Sequence, residues 1–104
     1  MNKIDLQKIA NELEFDVEDV AMLLEVFLDS AKNSLQALRD AIDTKNRVAI
    51  FSFAHAIKGS AANLTLNEIA ELARGIEKSA RESKDINYLD EYKKLKSLIA
   101  NIES

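Results

Sequence analysis

His55 is the sole histidine among 104 residues, and Lys58 and Gly59 follow it three and four positions on. A neutral imidazole nitrogen is a good nucleophile near pH 7, because an unperturbed histidine titrates near about 6.5. It can attack a phosphoryl group and hold it as a labile phosphoramidate, a form of covalent catalysis. An ammonium such as that of Lys58 can neutralise charge on phosphoryl oxygens as a point charge. Phosphoryl transfer asks a protein mainly for positioning and electrostatics. One His and one Lys supply part of that, so Mg²⁺ and the carboxylates that hold it are expected on a partner.

This chemistry needs the imidazole at a surface. The segment Phe51-Ser52-Phe53-Ala54-His55-Ala56-Ile57-Lys58-Gly59-Ser60-Ala61-Ala62-Asn63-Leu64 reads as a helix. At 3.6 residues per turn, His55 lies about 140° from an inward stripe centred on Ile50 and Ile57. Val48, Phe51, Gly59 and Ala62 fall on the same outward side, and Lys58 lies between that side and the core edge. Gly59 removes the Cβ that would stand beside the imidazole one turn on. Glycine inside a helix costs roughly 1 kcal/mol against alanine, so close approach of a second protein would account for it. Val48 and Phe51 could add apolar contact to such a patch, or could be core residues at the stripe's edge.

Five helical stretches position this segment. A short, weakly amphipathic one spans roughly Leu6 to Leu13. A second begins after Asp16 as N-cap, with Phe15 stapling onto Val20. Val17, Val20, Leu24, Phe27, Ala31, Leu35, Leu38 and Ile42 then recur at steps of three and four, over about seven turns. Met22 is assigned to the core with Phe27; alternatively Met22 and Leu23 contribute to a docking patch. Asp43 to Asn46 is a polar break in which Thr44 could cap the third helix, Val48 to Asn63. Thr65 with Glu68 forms a capping-box pattern for a fourth helix. Leu66, Ile69, Leu72, Ala73, Ile76 and Ala80 are its inward residues. Asp85 or Asn87 caps a fifth, with Leu89, Tyr92, Leu95, Leu98, Ile99 and Ile102 on one side. Short connections make neighbouring long helices antiparallel. The expected fold is all-α: an antiparallel up-down-up-down four-helix bundle with a short additional N-terminal helix, one domain over 1–104.

Counting outward from a turn near Thr65 and Leu66 places Gly75 to Glu77 opposite His55. Arg74, Glu77, Lys78 and Arg81 are therefore candidates for the rim. Glu77 could accept a hydrogen bond from the ring nitrogen not used in chemistry and fix the tautomer; it could also be an ordinary solvated or salt-bridged acid. Gly75 could let two helices approach closely.

Composition narrows the alternatives. Proline is absent and there are only two glycines, so the frequent turns of a β-sandwich are missing. No cysteine is present, which excludes disulfides and thiolate metal sites. The net charge of −4 comes from interleaved acids and bases, not the clustered basic face that nucleic acid requires. The N-terminal run is too polar for a signal peptide, and no apolar stretch approaches a membrane span. Lys93, Lys94 and Lys96 read as a solvated face.

The run from Ala54 to Leu64 resembles the signature of histidine-containing phosphotransfer domains: a histidine, two residues, Lys-Gly, then small residues. Phe27 in a long second helix, Leu72-Ala73-Arg74 and Glu77 in the fourth, and the total length extend the resemblance from about Leu13 to Ile102. It implies that His55 is phosphorylated, that Lys58 assists and that Gly59 admits the partner. It also implies that a hydrogen-bonding side chain stands at Glu77. The implied partners are receiver domains of response regulators or hybrid histidine kinases, with aspartyl phosphate and Mg²⁺ on their side. No cofactor or metal of its own is implied, nor nucleic-acid or membrane partners. A cytoplasmic monomer is expected. One departure stands out: the family frequently has Gly after the residue matched to Leu64, where this chain has Thr65. No Gly-rich nucleotide loop exists, so ATP-dependent kinase activity is not expected.

Two other readings compete. A non-catalytic helical module would bind a receiver domain without phosphotransfer. A metal-binding bundle would need ligands that one His and no Cys cannot provide, and no Glu-x-x-His pair exists.

Overall fold

A computed structural model describes residues 5–103. The single-domain reading of 1–104 includes residues 1–4 and 104, which lie outside the described residues. Among the described residues there are five helices and no strand: α1 (Leu6–Leu13), α2 (Val17–Asp43), α3 (Arg47–Asn63), α4 (Asn67–Arg81) and α5 (Tyr88–Glu103). None is long and apolar enough to cross a membrane.

Local chemistry sets the helix starts. Asp5 accepts from Lys8 N at 3.1 Å, Asn46 from Ala49 N at 3.1 Å and Asn87 from Asp90 N at 3.1 Å. Each satisfies a backbone N–H that has no partner within its helix. Asn46, not Thr44, therefore caps α3; the Thr44 hydroxyl instead donates to Asp40 O and Ala41 O at the end of α2. Asn87 caps α5, while Asp85 bonds Arg47 at 2.6 Å. Asp16 sits at the start of α2 in extended conformation but makes no side-chain cap bond. Glu18 and Asp19 in the first turn still suit the helix dipole. Phe15 is exposed, whereas Val20 is fully buried.

The helix ends share one device. Glu14, Lys45, Thr65 and Ser83 have φ of 58°, 55°, 56° and 54°. Each lets the next residue's N–H reach back to the carbonyl five positions earlier: Phe15 to Ala10, Asn46 to Ala41, Leu66 to Ala61 and Lys84 to Ser79, all at 2.9 Å. These are Schellman closures, usually built on glycine. Thr65 is thus no capping-box residue: Leu66 occupies the N-cap position of α4, without a side-chain bond. A β-branched side chain in left-handed backbone is strained. We expect Thr65→Gly to stabilise the fold by about 1 kcal/mol and raise Tm by roughly 4–8 °C in thermal unfolding. An unchanged Tm would show that Thr65 is not strained.

Four helices form a closed ring: α2 packs on α3, α3 on α4, α4 on α5 and α5 back on α2, while α1 lies against α2. The core is formed by Val20, Phe27, Leu35 and Leu38 of α2, Ile50 and Ile57 of α3, Ile69 and Ile76 of α4, and Tyr92, Leu95 and Ile99 of α5. Met22 is not among them. It is 66% exposed, about 200° around α2 from Val20, in a helix whose buried stripe is narrow. The α3–α4 contact is the most extensive. Its buried alanines, Ala54, Ala61, Ala73 and Ala80, keep side-chain bulk low and allow close approach. His55 bonds Glu77, and Arg47 bonds Asp85; both pairs are centred on position 66, which makes α3 and α4 antiparallel.

Candidate functional site

The Asn46 cap and the inward stripe Ile50, Ala54, Ile57 and Ala61 fix the rotation of α3. They turn His55 outward, with its side chain 59% exposed. Val48, at 78%, and Ala62 are exposed on the same side, while Phe51 and Gly59 are half-buried. A Cβ built on Gly59 meets nothing within 4 Å, so no neighbouring helix requires glycine there. Phe51 packs against the core edge and also stacks on the imidazole, with ring centroids 5.9 Å apart and planes 14° from parallel. It supports the ring from one turn earlier.

From α4, Glu77 reaches across. It is 6% exposed, the one buried charged residue among those described. It follows Ala73 by four positions and precedes Ala80 by three, on the inward stripe of α4. Its Oε2 lies 2.5 Å from His55 Nδ1, and its Oε1 accepts from Lys58 Nζ at 2.8 Å. Both carboxylate oxygens are therefore engaged by α3. Burying a carboxylate is expensive unless it is paired and hydrogen-bonded. Here burial pushes the Glu77 carboxyl up, but the hydrogen bonds from Lys58 and His55, and then their charges, outweigh it. The net effect holds it below the usual carboxylate value of 4.5.

Glu77 is therefore ionised at neutral pH, and an ionised carboxylate can only accept. His55 Nδ1 must carry the proton in that bond. In the neutral ring Nε2 then keeps its lone pair, on a side chain more than half exposed. The arrangement offers one oriented nucleophilic nitrogen, one ammonium beside it and open helix surface one turn away.

The sign of the Glu77 shift has a measurable consequence. A carboxyl whose folded pKa lies below its unfolded value stabilises fully above the unfolded value, and that contribution is lost as pH falls through the folded one. We expect the urea midpoint to fall on acidification below about pH 4.5, and Glu77→Gln to flatten that part of the profile. Parallel profiles for the two proteins would show that Glu77 contributes nothing to acid stability.

The other predicted residues have different surroundings. Arg74 is exposed and pairs with Glu71 of its own helix at 3.5 Å. Lys78 and Arg81 are exposed, and after the hydrogen bond from Lys84 their charges help hold the Glu82 carboxyl below its usual range. Gly75 is exposed and a Cβ there meets nothing within 4 Å, so it does not serve close helix packing. Met22 and Leu23 are exposed on α2 beside Val26. Sequence reasoning missed the Lys58–Glu77 bond and the Phe51–His55 stack. The four-residue step from Phe51 to His55 could have signalled the stack. An acid inside the inward stripe of α4 could have signalled the buried partner.

Comparison with known proteins finds a family model described as the Hpt domain over residues 22–104. No curated protein and no solved structure matches the chain. The matched span includes His55, Lys58, Gly59 and Glu77, and begins after α1.

Proposed function

The chain belongs to the Hpt domain family, and from that premise we propose that it is a phosphorelay carrier which accepts a phosphoryl group on Nε2 of His55. Hpt domains serve histidine phosphotransfer in phosphorelays and are carriers rather than kinases. The donor in our reading is the aspartyl phosphate of a receiver domain, and the acceptor is the aspartate of another receiver. The Nε2 lone pair attacks phosphorus, the P–O bond to aspartate breaks, and its electron pair returns to the carboxylate. Transfer onward reverses these bonds on the second receiver. Mg²⁺ stays with the receiver; this chain needs no cofactor of its own and does not use ATP.

The observation that carries the reading is an exposed imidazole whose Nδ1 is held by the buried Glu77, leaving Nε2 as the nucleophile. Phe51 and Glu77 hold the ring from two directions, which limits the ordering needed when the partner docks. Lys58 shifts between Glu77 and the phosphoryl oxygens. Gly59, Val48 and Ala62 form the surface on which the receiver sits. The bundle that presents them runs up-down-up-down through α2 to α5, and the protein acts as a cytoplasmic monomer without nucleic-acid or membrane partners.

Incubation with a phosphorylated receiver domain tests this. The chain should acquire phosphate that is lost in acid and kept in base, as a phosphoramidate is, while the receiver loses its own. Stable binding with no phosphate acquired would favour a non-catalytic module and defeat the proposal.

A further inference from the structure

We propose that the negative charge of Glu77, beyond its ability to accept a hydrogen bond, makes the phosphoryl group on His55 short-lived, so that the protein conducts phosphoryl groups rather than storing them. This rests on the carrier reading above.

With phosphorus on Nε2, the fate of the group depends on Nδ1. When the P–N bond breaks, its electron pair returns to Nε2. If Nδ1 carries a proton, the departing ring is a neutral imidazole that keeps that proton. If Nδ1 is bare, the departing ring is an imidazolate anion, a much poorer leaving group. The incoming oxygen, from water or a receiver aspartate, forms the new P–O bond in either case. Phosphate lifetime therefore falls wherever the protein keeps the phosphorylated ring protonated at Nδ1.

The fold places a carboxylate there. Glu77 Oε2 is 2.5 Å from Nδ1, and the Glu77 side chain is buried, where water screens its charge poorly. A neutral amide at the same place would accept the bond and orient the ring but would not supply a full negative charge. Lys58 of α3 is the other cation on Glu77. In the phosphorylated protein the phosphoryl oxygens compete for that ammonium, which leaves the Glu77 charge directed at the ring. On the neighbouring helices, Arg39 of α2 pairs with Asp43, Arg74 of α4 with Glu71 and Lys94 of α5 with Glu91.

The test compares wild type with Glu77→Gln, each phosphorylated on His55 with phosphoramidate and freed of the donor. Phosphate loss to water is followed by phosphorus NMR across the range from about pH 5 to about pH 9. An opposite charge at hydrogen-bond distance shifts a titration by about 1–3 units, and each unit changes the protonated fraction about tenfold. Glu77→Gln should therefore lose phosphate about tenfold or more slowly at about pH 8, with the two rates converging near about pH 5. A Gln that only orients the ring would leave the profile in place, so superimposed profiles overturn the proposal while phosphorylated His55 keeps the carrier reading. Failure of wild-type His55 to take phosphate from phosphoramidate or from a phosphorylated receiver overturns the carrier reading itself. Should Glu77→Gln not fold, nitrogen NMR of phosphorylated wild type decides: Nδ1 should stay protonated to higher pH in the folded protein than in concentrated urea. Equal titration in the two states overturns the proposal.

Discussion

Replacing His55 by Gln should reduce phosphate acquisition from a phosphorylated receiver to background and leave the fold in place. The two halves of that result have separate causes. Gln has no nitrogen lone pair able to attack phosphorus, because its amide nitrogen is delocalised into the carbonyl. Its NH₂ can still donate to Glu77, so the buried carboxylate keeps two donors where it now has His55 and Lys58. An exposed position with its partner preserved should shift stability by no more than about 0.5 kcal/mol. For a chain of this size that is a Tm change of about 2–4 °C. His55→Leu provides the contrast. It also abolishes phosphate acquisition, but it leaves Glu77 Oε2 without its donor, and an unsatisfied buried acceptor costs about 1–3 kcal/mol. Equal Tm values for the Gln and Leu variants would show that the Glu77 bond is worth little. A Gln variant that still acquires acid-labile phosphate would remove His55 from the mechanism.

Much of this site was legible in the sequence because helix periodicity is a strong signal and α3 is a regular helix. Ile50, Ala54, Ile57 and Ala61 fixed its rotation, and that placed His55 and Gly59 outward. Counting from the α3–α4 turn puts Gly75 to Glu77 level with His55, because antiparallel helices of equal rise meet symmetrically about their turn. What could not be read was how deep Glu77 lies. Burial of an acid is set by the separation of two helices, and the small residues Ala54, Ala61, Ala73 and Ala80 bring α3 and α4 close. Nor did composition reveal the helix ends. Glu14, Lys45, Thr65 and Ser83 adopt the backbone that glycine usually marks, so the closures carry no glycine to read. Thr44 and Thr65 stand between helices, where a hydroxyl residue reads as an N-cap; Thr44 instead serves the end of α2, and Thr65 the left-handed closure after α3. Met22 was misplaced because hydrophobicity alone does not distinguish an apolar residue facing the core from one facing solvent.

Gly59→Glu should suppress transfer by about 100-fold or more while raising stability. In the carrier reading proposed above a partner brings an aspartyl phosphate up to Nε2, and Gly59 lies one turn from His55 on the same outward stripe. A carboxylate there would intrude on the docking surface and repel the incoming phosphoryl oxygens. About 3 kcal/mol from these two effects corresponds to about 100-fold. Within the isolated protein the added Cβ meets no neighbour within 4 Å. Replacing a helical glycine by a better helix former should then add roughly 0.5–1 kcal/mol of stability. Gly75 supplies the control. A Cβ there also meets open space, but Gly75 lies about 200° around α4 from Glu77, on the side away from His55. Gly75→Ala should gain similar stability and transfer at the wild-type rate, and nothing in the structure explains why glycine stands there. Gly59→Ala should gain the same stability yet transfer more slowly than Gly75→Ala, because its methyl group stands in the path of the partner. Matched stabilities with unmatched transfer rates would tie Gly59 to the approach of a second protein. Wild-type transfer by a folded Gly59→Glu protein would break that tie and place the docking surface elsewhere on the bundle.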